Sequence, residues 1–281
     1  METALLEIRN QQKASWNKFS PGWKKWDDLV MDFLRPQGDE LIGNLNLKNN
    51  YQVLDVAAGT GEPGLTIASM VPKGRVIITD LAEEMLTIAH ENADLRGIRN
   101  METLTVDASE LPFDDDAFDA ISCRLGFRYF PDMSLAGNEM VRVLKPGHRI
   151  ATTVWSGPEG NPWITIMMNA IDTVMQIPPT SNGSPGMFRC AQPGLMASIL
   201  SDAGLKDLVT REIKVKLRCG TAEAYWGWMT DVVAPVVAAL GSATKEEIVE
   251  IKQLVFGSLA KRYRDGKIVI EGTAKVIAGT K

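Results

Sequence analysis

The stretch VLDVAAGTGEPG, residues 53–64, decides the fold of this chain. An apolar run carries Asp55 near its end. A loop of small residues follows, and then Pro63. Extended by its flanks, the stretch reads as strand YQVLDV, tight loop, and helix EPGLTIASMV. Pro63 falls where a helix begins, the position at which its missing N–H costs least.

The same alternation repeats downstream. RVIITD is a second strand ending in Asp80, and AEEMLTIAHENADLRG is an amphipathic helix with acids in its first turn and Gly97 at its end. ETLTVD is a third strand, ending in Asp107. FDAISC is a fourth, SLAGNEMVRVL a helix closed by a KPG turn at 145–147, and HRIATTVW a fifth strand. Strands alternating with helices of this length predict right-handed crossovers and a mostly parallel sheet.

Outside residues 51–155 the pattern loosens. Residues 1–45 read as a helical cap, with Trp16, Phe19, Trp23 and Trp26 on one face unless Pro21 breaks it. Residues 156–200 and 220–265 read as insertions: a Met-rich helix, a loop rich in Pro, Gly and Ser, and further helices. Segments 205–219 and 266–281 read as two more strands. The whole is expected to be one domain of 281 residues.

Composition excludes several classes. Hydrophobic residues make 45% and charged residues 23% of the chain, which suits a globular core. A net charge of -5 argues against nucleic acid as the main partner. Cys123, Cys190 and Cys219 are far apart, and with only His90 and His148 beside them no metal site is expected. Free thiols suit a reducing, cytoplasmic setting. There is no signal-peptide pattern, and no apolar run approaches the roughly 18 residues of a membrane span. The run WNKFSPGWKKW sets three lysines among three tryptophans, a pattern that fits an exposed helix or contact with an anionic membrane surface.

The loop poses a choice of ligand. Gly59, Gly61 and Gly64 match GxGxxG, the dinucleotide fingerprint. Asp55 argues against it, because a carboxylate beside a pyrophosphate repels it. The same carboxylate favours a cationic group. S-adenosylmethionine carries an ammonium and a sulfonium and no phosphate. Asp80, at the end of strand two, suits ribose hydroxyls, and Asp107 suits an adenine amino group.

On these residues the chain resembles a known family. DVAAGTG resembles the first motif, (D/E)xGxGxG, of class I S-adenosylmethionine-dependent methyltransferases, and VDASELPFDDDAFD with EMVRVLKPG is similar to the ubiquinone/menaquinone-biosynthesis type. The resemblance implies a Rossmann-like seven-stranded sheet of order 3-2-1-4-5-7-6 with only the last strand antiparallel. It implies cofactor contacts from Asp55, Ala57, Gly59 and Gly61, from Asp80 and Leu81, from Met85, from Asp107 and Ala108, and from Arg124 and Leu125. Ala57 departs from the motif's first glycine, and positive φ is not expected there.

Methyl transfer from a sulfonium needs alignment and desolvation more than acid–base chemistry. No residue stands out as a base: His90 reads as structural, and Tyr129, Glu159, Asp172 and Tyr225 are weak candidates. The acceptor pocket is expected over strands four and five, among Trp16, Phe19, Phe127, Trp155, Trp163, Phe188 and Trp226. These side chains suit a bulky, apolar acceptor such as a quinone, polyketide, sterol or terpenoid. Two other readings stand beside this one: a protein that binds the cofactor without transferring methyl, such as a cyclase or partner subunit, and an NAD(P)-dependent oxidoreductase. A homodimer is compatible with all of them.

Overall fold

Strand–helix alternation through residue 155 builds one half of the sheet, and the chain's last strands complete the other. The computed structural model describes residues 2–178 and 183–281. Helices α1 (Glu2–Lys25) and α2 (Asp27–Gly43) precede β1 (Gln52–Val56). Then follow α3 (Gly64–Met70), β2 (Arg75–Asp80), α4 (Glu83–Leu95), β3 (Met101–Thr105), β4 (Phe118–Arg124), α5 (Met133–Val143) and β5 (Leu144–Trp155). The remainder is α6 (Pro162–Met175), α7 (Leu195–Asp202), β6 (Lys206–Gly220), α8 (Ala222–Val232), α9 (Ala234–Leu240), α10 (Lys245–Arg262) and β7 (Ile268–Thr280).

The strands form one sheet in the order β3-β2-β1-β4-β5-β7-β6. β1 pairs in parallel with β2 and β4, while β7 runs antiparallel to both β5 and β6. This is the order that the resemblance implied. Successive residues of a strand face opposite ways. Val53 therefore joins the core on one sheet face, with Phe33, Leu41 and Trp155, and Leu54 joins the core on the other, with Phe127 and Met140. A strand buried on both faces has no polar alternation, which is why β1 reads as a continuous apolar run.

Three local expectations change. Pro21 does not break α1, which runs on to Lys25. The carbonyl of Asn17, which a proline cannot serve, instead accepts a hydrogen bond from Ser20 Oγ at 2.9 Å. The KPG segment is not a free turn but lies within β5, with a register shift against β4 between Phe118 and Ala120 and with Gly147 at φ 76°. Asp107 lies two residues beyond the end of β3 rather than on it.

Helix α1 crosses the carboxyl edge of the sheet. Lys13 pairs with Glu83 at 2.8 Å and Lys24 with Glu91 at 2.6 Å, both on α4, and Lys25 pairs with Asp231 on α8 at 2.7 Å. Gly22 permits the contact with α8: a Cβ there would lie 2.1 Å from the Asp231 carbonyl oxygen. Two of the three lysines of the aromatic patch, Lys24 and Lys25, are therefore tied to acids of neighbouring helices, as is Lys13 before it.

Candidate cofactor cleft and acceptor cavity

The β1–α3 loop is held from below by Asp55. Its strand lies between β2 and β4, opposite Ile78 and Ser122, so the side chain is fully buried. One carboxylate oxygen accepts the Gly64 N–H at 2.8 Å, and the other accepts the Ser122 hydroxyl at 2.6 Å. Burial pushes its pKa up to about 7, against the opposing pull of those two bonds and of the Arg124 charge. Gly64 is needed at that contact, because a Cβ would lie 2.8 Å from the Asp55 carboxylate and from Ile78.

Above the loop lies a cleft of about 910 Å³. Asp55 and Gly61 do not line it. The expected contact between Asp55 and a ligand is replaced by a bond from Asp55 to the backbone that shapes the loop. Ala57 and Gly59 do line it, with φ of 56° and 57°. The positive φ at Ala57 overturns the expectation from its Cβ, and costs about 1–2 kcal/mol in an L-residue. The loop is pinned on both sides of Ala58, where Ala58 N–H donates to Thr79 O and Gly59 N–H to Asp80 Oδ2. A Cβ on Gly59 would meet nothing within 4 Å and would project into open cleft.

Asp80, Leu81, Met85, Asp107 and Ala108 form the far wall of the same cleft. Asp80 accepts N–H bonds from Gly59 and Ala82, each at 2.9 Å. Burial raises its pKa, and those donors pull it back down without cancelling the rise. Asp107 accepts the Ser109 N–H at 2.9 Å, and its other oxygen lies 3.2 Å from Arg9 Nε of α1. Arg124 and Leu125 follow β4 on the near wall. Burial lowers the pKa of Arg124, while the carboxylates of Glu62, Asp55 and Asp27 hold its charge in place.

A second cavity of about 400 Å³ adjoins the cleft. The two share Trp16, Trp23, Leu34, Leu125, Arg128 and Tyr129. Phe33, Trp155, Trp163 and Trp228 complete an aromatic wall, with ring centroids 4.9–5.8 Å apart. Of the residues expected at the acceptor, Trp16, Trp155 and Trp163 line this cavity. The other four do not. Phe19 packs edge-on against Trp16, and Phe127 is fully buried against Phe130 on the other sheet face. Phe188 is half-buried against the core, and Trp226 packs on Phe256.

Trp23, Phe33, Arg128 and Trp228 line the cavity but are not among the residues expected there, although Trp23 belongs to the aromatic face expected of the first helix. Three of them stand inside aromatic runs of the sequence, SPGWKKW, GFRYF and AYWGWM. Their spacing on a helix or turn does not say which member of each run turns toward the cavity. Among the weak base candidates, Tyr225 donates its hydroxyl to Trp163 O at 2.8 Å and is structural, while Glu159 and Asp172 line neither cavity. His90 is exposed on α4.

The family model of the ubiE/COQ5 methyltransferases matches residues 23–175. The chain belongs to the ubiE/COQ5 methyltransferase family. That match runs from the end of α1 through β1–β5 and α6, and so includes the loop and all of the cleft lining except Gln12 and Trp16 of α1. With the family comes its cofactor class, S-adenosylmethionine, and the residues above fit it: a cleft lined by Glu62, Asp80 and Asp107 with an open cradle at Gly59. A demethylmenaquinone methyltransferase of Thermus thermophilus is 40% identical over 107 residues, 38% of this chain and 48% of that protein. One from Listeria welshimeri is 31% identical over 150 residues, 53% of this chain and 64% of that protein. The chain thus spans about half to just under two thirds of the length of these relatives. The fold of this ubiE/COQ5 family member also resembles the crystal structure of the YcgJ protein from Bacillus subtilis, with a TM-score of 0.58 and 21% identity over 87% of this chain and 97% of that one. The (4+2)-cyclase SpnF shares the fold as well, with a TM-score of 0.54 and 21% identity over 87% of this chain and 79% of that one.

Proposed function

We propose that this chain binds S-adenosylmethionine in the 910 Å³ cleft and transfers its methyl group to a small, planar, largely apolar acceptor of quinone type seated in the aromatic cavity. One observation supports this above the others: the loop amides that would cradle a pyrophosphate are already committed. Gly64 N–H is taken by Asp55, Thr66 N–H by Glu62 at 3.3 Å, Gly59 N–H by Asp80 and Gly61 N–H by Ala58 O. A dinucleotide would lose the helix-terminal donors it needs and meet carboxylates instead. The phosphate-free cofactor makes no such demand.

Within that reading, Asp80 accepts from the ribose hydroxyls and Asp107 borders the adenine, with Met85 against the ring. Ala57 and Gly59 let the backbone approach the methionine part. Bound there, the cofactor would supply a methyl group on cationic sulfur, held between the cleft residues and the acceptor's electron pair in the cavity. Leu125 and Trp16, which line both cavities, exclude water from the line between them. The demethylmenaquinone methyltransferase relatives give the quinone class its support.

Calorimetric titration with S-adenosylhomocysteine, S-adenosylmethionine and NAD tests the cofactor: micromolar binding of the first two and none of NAD is expected, and NAD binding alone would sink it. A second reading, cofactor binding without transfer, draws on the lack of any histidine in the lining of either cavity. Incubation with reduced naphthoquinones, followed by mass spectrometry, separates the two: gain of one methyl mass supports transfer. No described helix is long and apolar enough to cross a membrane, so a lipophilic acceptor would reach the cavity without one.

A further inference from the structure

The two cavities meet at a buried cation, Arg128, that has no carboxylate paired to it among the described residues. Arg128 lies in the short turn after β4, is only 6% exposed, and lines both cavities. Its Nε and Nη1 are buried without a hydrogen-bond partner among the described residues. Its guanidinium carbon lies 4.8 Å from the centre of the Tyr129 ring, and the ring face and phenolic oxygen of that neighbour, which is neutral, ease the charge without cancelling it. The carboxylates of the cleft lining are otherwise engaged. Asp80 is held by two backbone N–H groups, Asp107 by Ser109 and Arg9, and Glu62 pairs with Arg96. A buried guanidinium left unpaired is costly, so such groups mark where an anion belongs.

The other orphaned groups of the cavity point the same way. The indole nitrogens of Trp23, Trp155 and Trp228 are also buried without partners. An indole N–H can only donate. The Tyr129 hydroxyl is buried without a partner as well, and a hydrocarbon acceptor would leave these three indoles, the hydroxyl and Arg128 unpaired. Ring faces suit a flat π system. The cofactor's cationic sulfur would add a second positive charge on the other side of the shared wall, and a negative charge between the two relieves both.

We propose that the acceptor enters as an oxygen-rich planar anion, a phenolate or enolate, with its charged oxygen held by Arg128 and a neighbouring oxygen within reach of the indole donors. This rests on the cofactor reading above and narrows its acceptor. An acceptor that arrives ionised needs no base at the moment of transfer, and the cavities offer no histidine. Arg128 is then the residue that selects acceptors by their acidity.

The test uses a matched pair: 2-hydroxy-1,4-naphthoquinone, which is ionised at neutral pH, and its neutral 2-methoxy ether. Both are titrated calorimetrically into the full chain at pH 7.5, saturated with S-adenosylhomocysteine. The anion should bind at least tenfold tighter than the ether, and Arg128→Met should abolish that preference while Arg128→Lys keeps most of it. Equal affinities in the unmodified chain, or a preference undiminished in Arg128→Met, overturn the proposal. If Arg128→Met does not give a cooperative melt, Arg128→Gln takes its place with the same two outcomes. S-adenosylhomocysteine binding is read first. Its presence without a preference for the anion sinks this proposal alone, and its absence sinks the cofactor reading together with what rests on it.

Discussion

The cleft and the aromatic cavity are neighbours built on opposite electrostatic plans. The cleft is walled by acids that are already satisfied, Asp80 by two amides and Asp107 by an amide and Arg9, and the loop under it is held by Asp55, itself satisfied by Gly64 and Ser122. The cavity is walled by rings and by donors that lack partners, with Arg128 at the junction. The first is preorganised and complete before a ligand arrives. The second is incomplete without one. A site that satisfies its own polar groups binds by shape and by the remaining lone pairs, whereas one that leaves donors buried depends on the ligand to supply acceptors.

The sharpest way to break the contrast is at Asp55. Asp55→Ala should leave the Gly64 N–H and the Ser122 hydroxyl buried without an acceptor, at a cost of about 3 kcal/mol, and let the loop collapse. Urea unfolding should show the loss of stability, and titration should show loss of S-adenosylhomocysteine binding. Stability lost with full ligand affinity kept would mean that Asp55 does not shape the cleft.

Asp80→Ala acts within the cleft itself. It removes the acceptor for Gly59 and Ala82 N–H and the oxygens proposed to take the ribose hydroxyls, so S-adenosylhomocysteine affinity should fall by about 10- to 100-fold. Trp228→Leu acts on the other side. It takes one ring and one N–H from the cavity, and should raise the acceptor KM by about tenfold while the S-adenosylhomocysteine Kd stays within about twofold. A large change in cofactor affinity there would show that the two regions are not separable.

Asp55→Asn is gentler, because an amide can accept from Gly64 N–H and donate to Ser122 Oγ. What it removes is the titration. Asp55 has a folded pKa near 7 against an ordinary 3.8, so between those values the folded chain holds a proton that the unfolded chain has released. Its contribution to stability is therefore complete below about pH 4 and declines as pH rises to 7. Melting temperatures of the Asn variant should fall less across that window than those of the unmodified chain; parallel curves would count against the raised pKa. The smallest effect belongs to Ala57→Gly. Relief of positive φ, about 1–2 kcal/mol, is offset by about 0.5–1 kcal/mol of extra chain entropy, so the melting temperature should hold or rise slightly.

Much of the cofactor half was legible because its signals are local. The strand–loop–helix at 53–64, the acid ending β2 and the acid just after β3 each sit within a few residues of the feature that explains them. Even there, pattern did not give role: Asp55 and Asp80 are both acids at strand ends, yet one is a buried strut and the other faces the cleft. The acceptor half was legible only in composition. Trp16, Trp155 and Trp163 reach the cavity, while Phe19, Phe127, Phe188 and Trp226, from equally aromatic runs, pack elsewhere.

By itself the sequence determined the alternating architecture, the loop, and the acids beside it, since strand periodicity, helix boundaries and turn chemistry are properties of neighbouring residues. Only the tertiary structure decided that Asp55 holds the loop, that Ala57 takes positive φ, and that Arg128 and three indoles meet unpaired beside the cleft. The physical reason is burial. Whether a polar group is satisfied or left open depends on atoms brought from β4, α1, α2, β5 and α8, and no local pattern records that meeting.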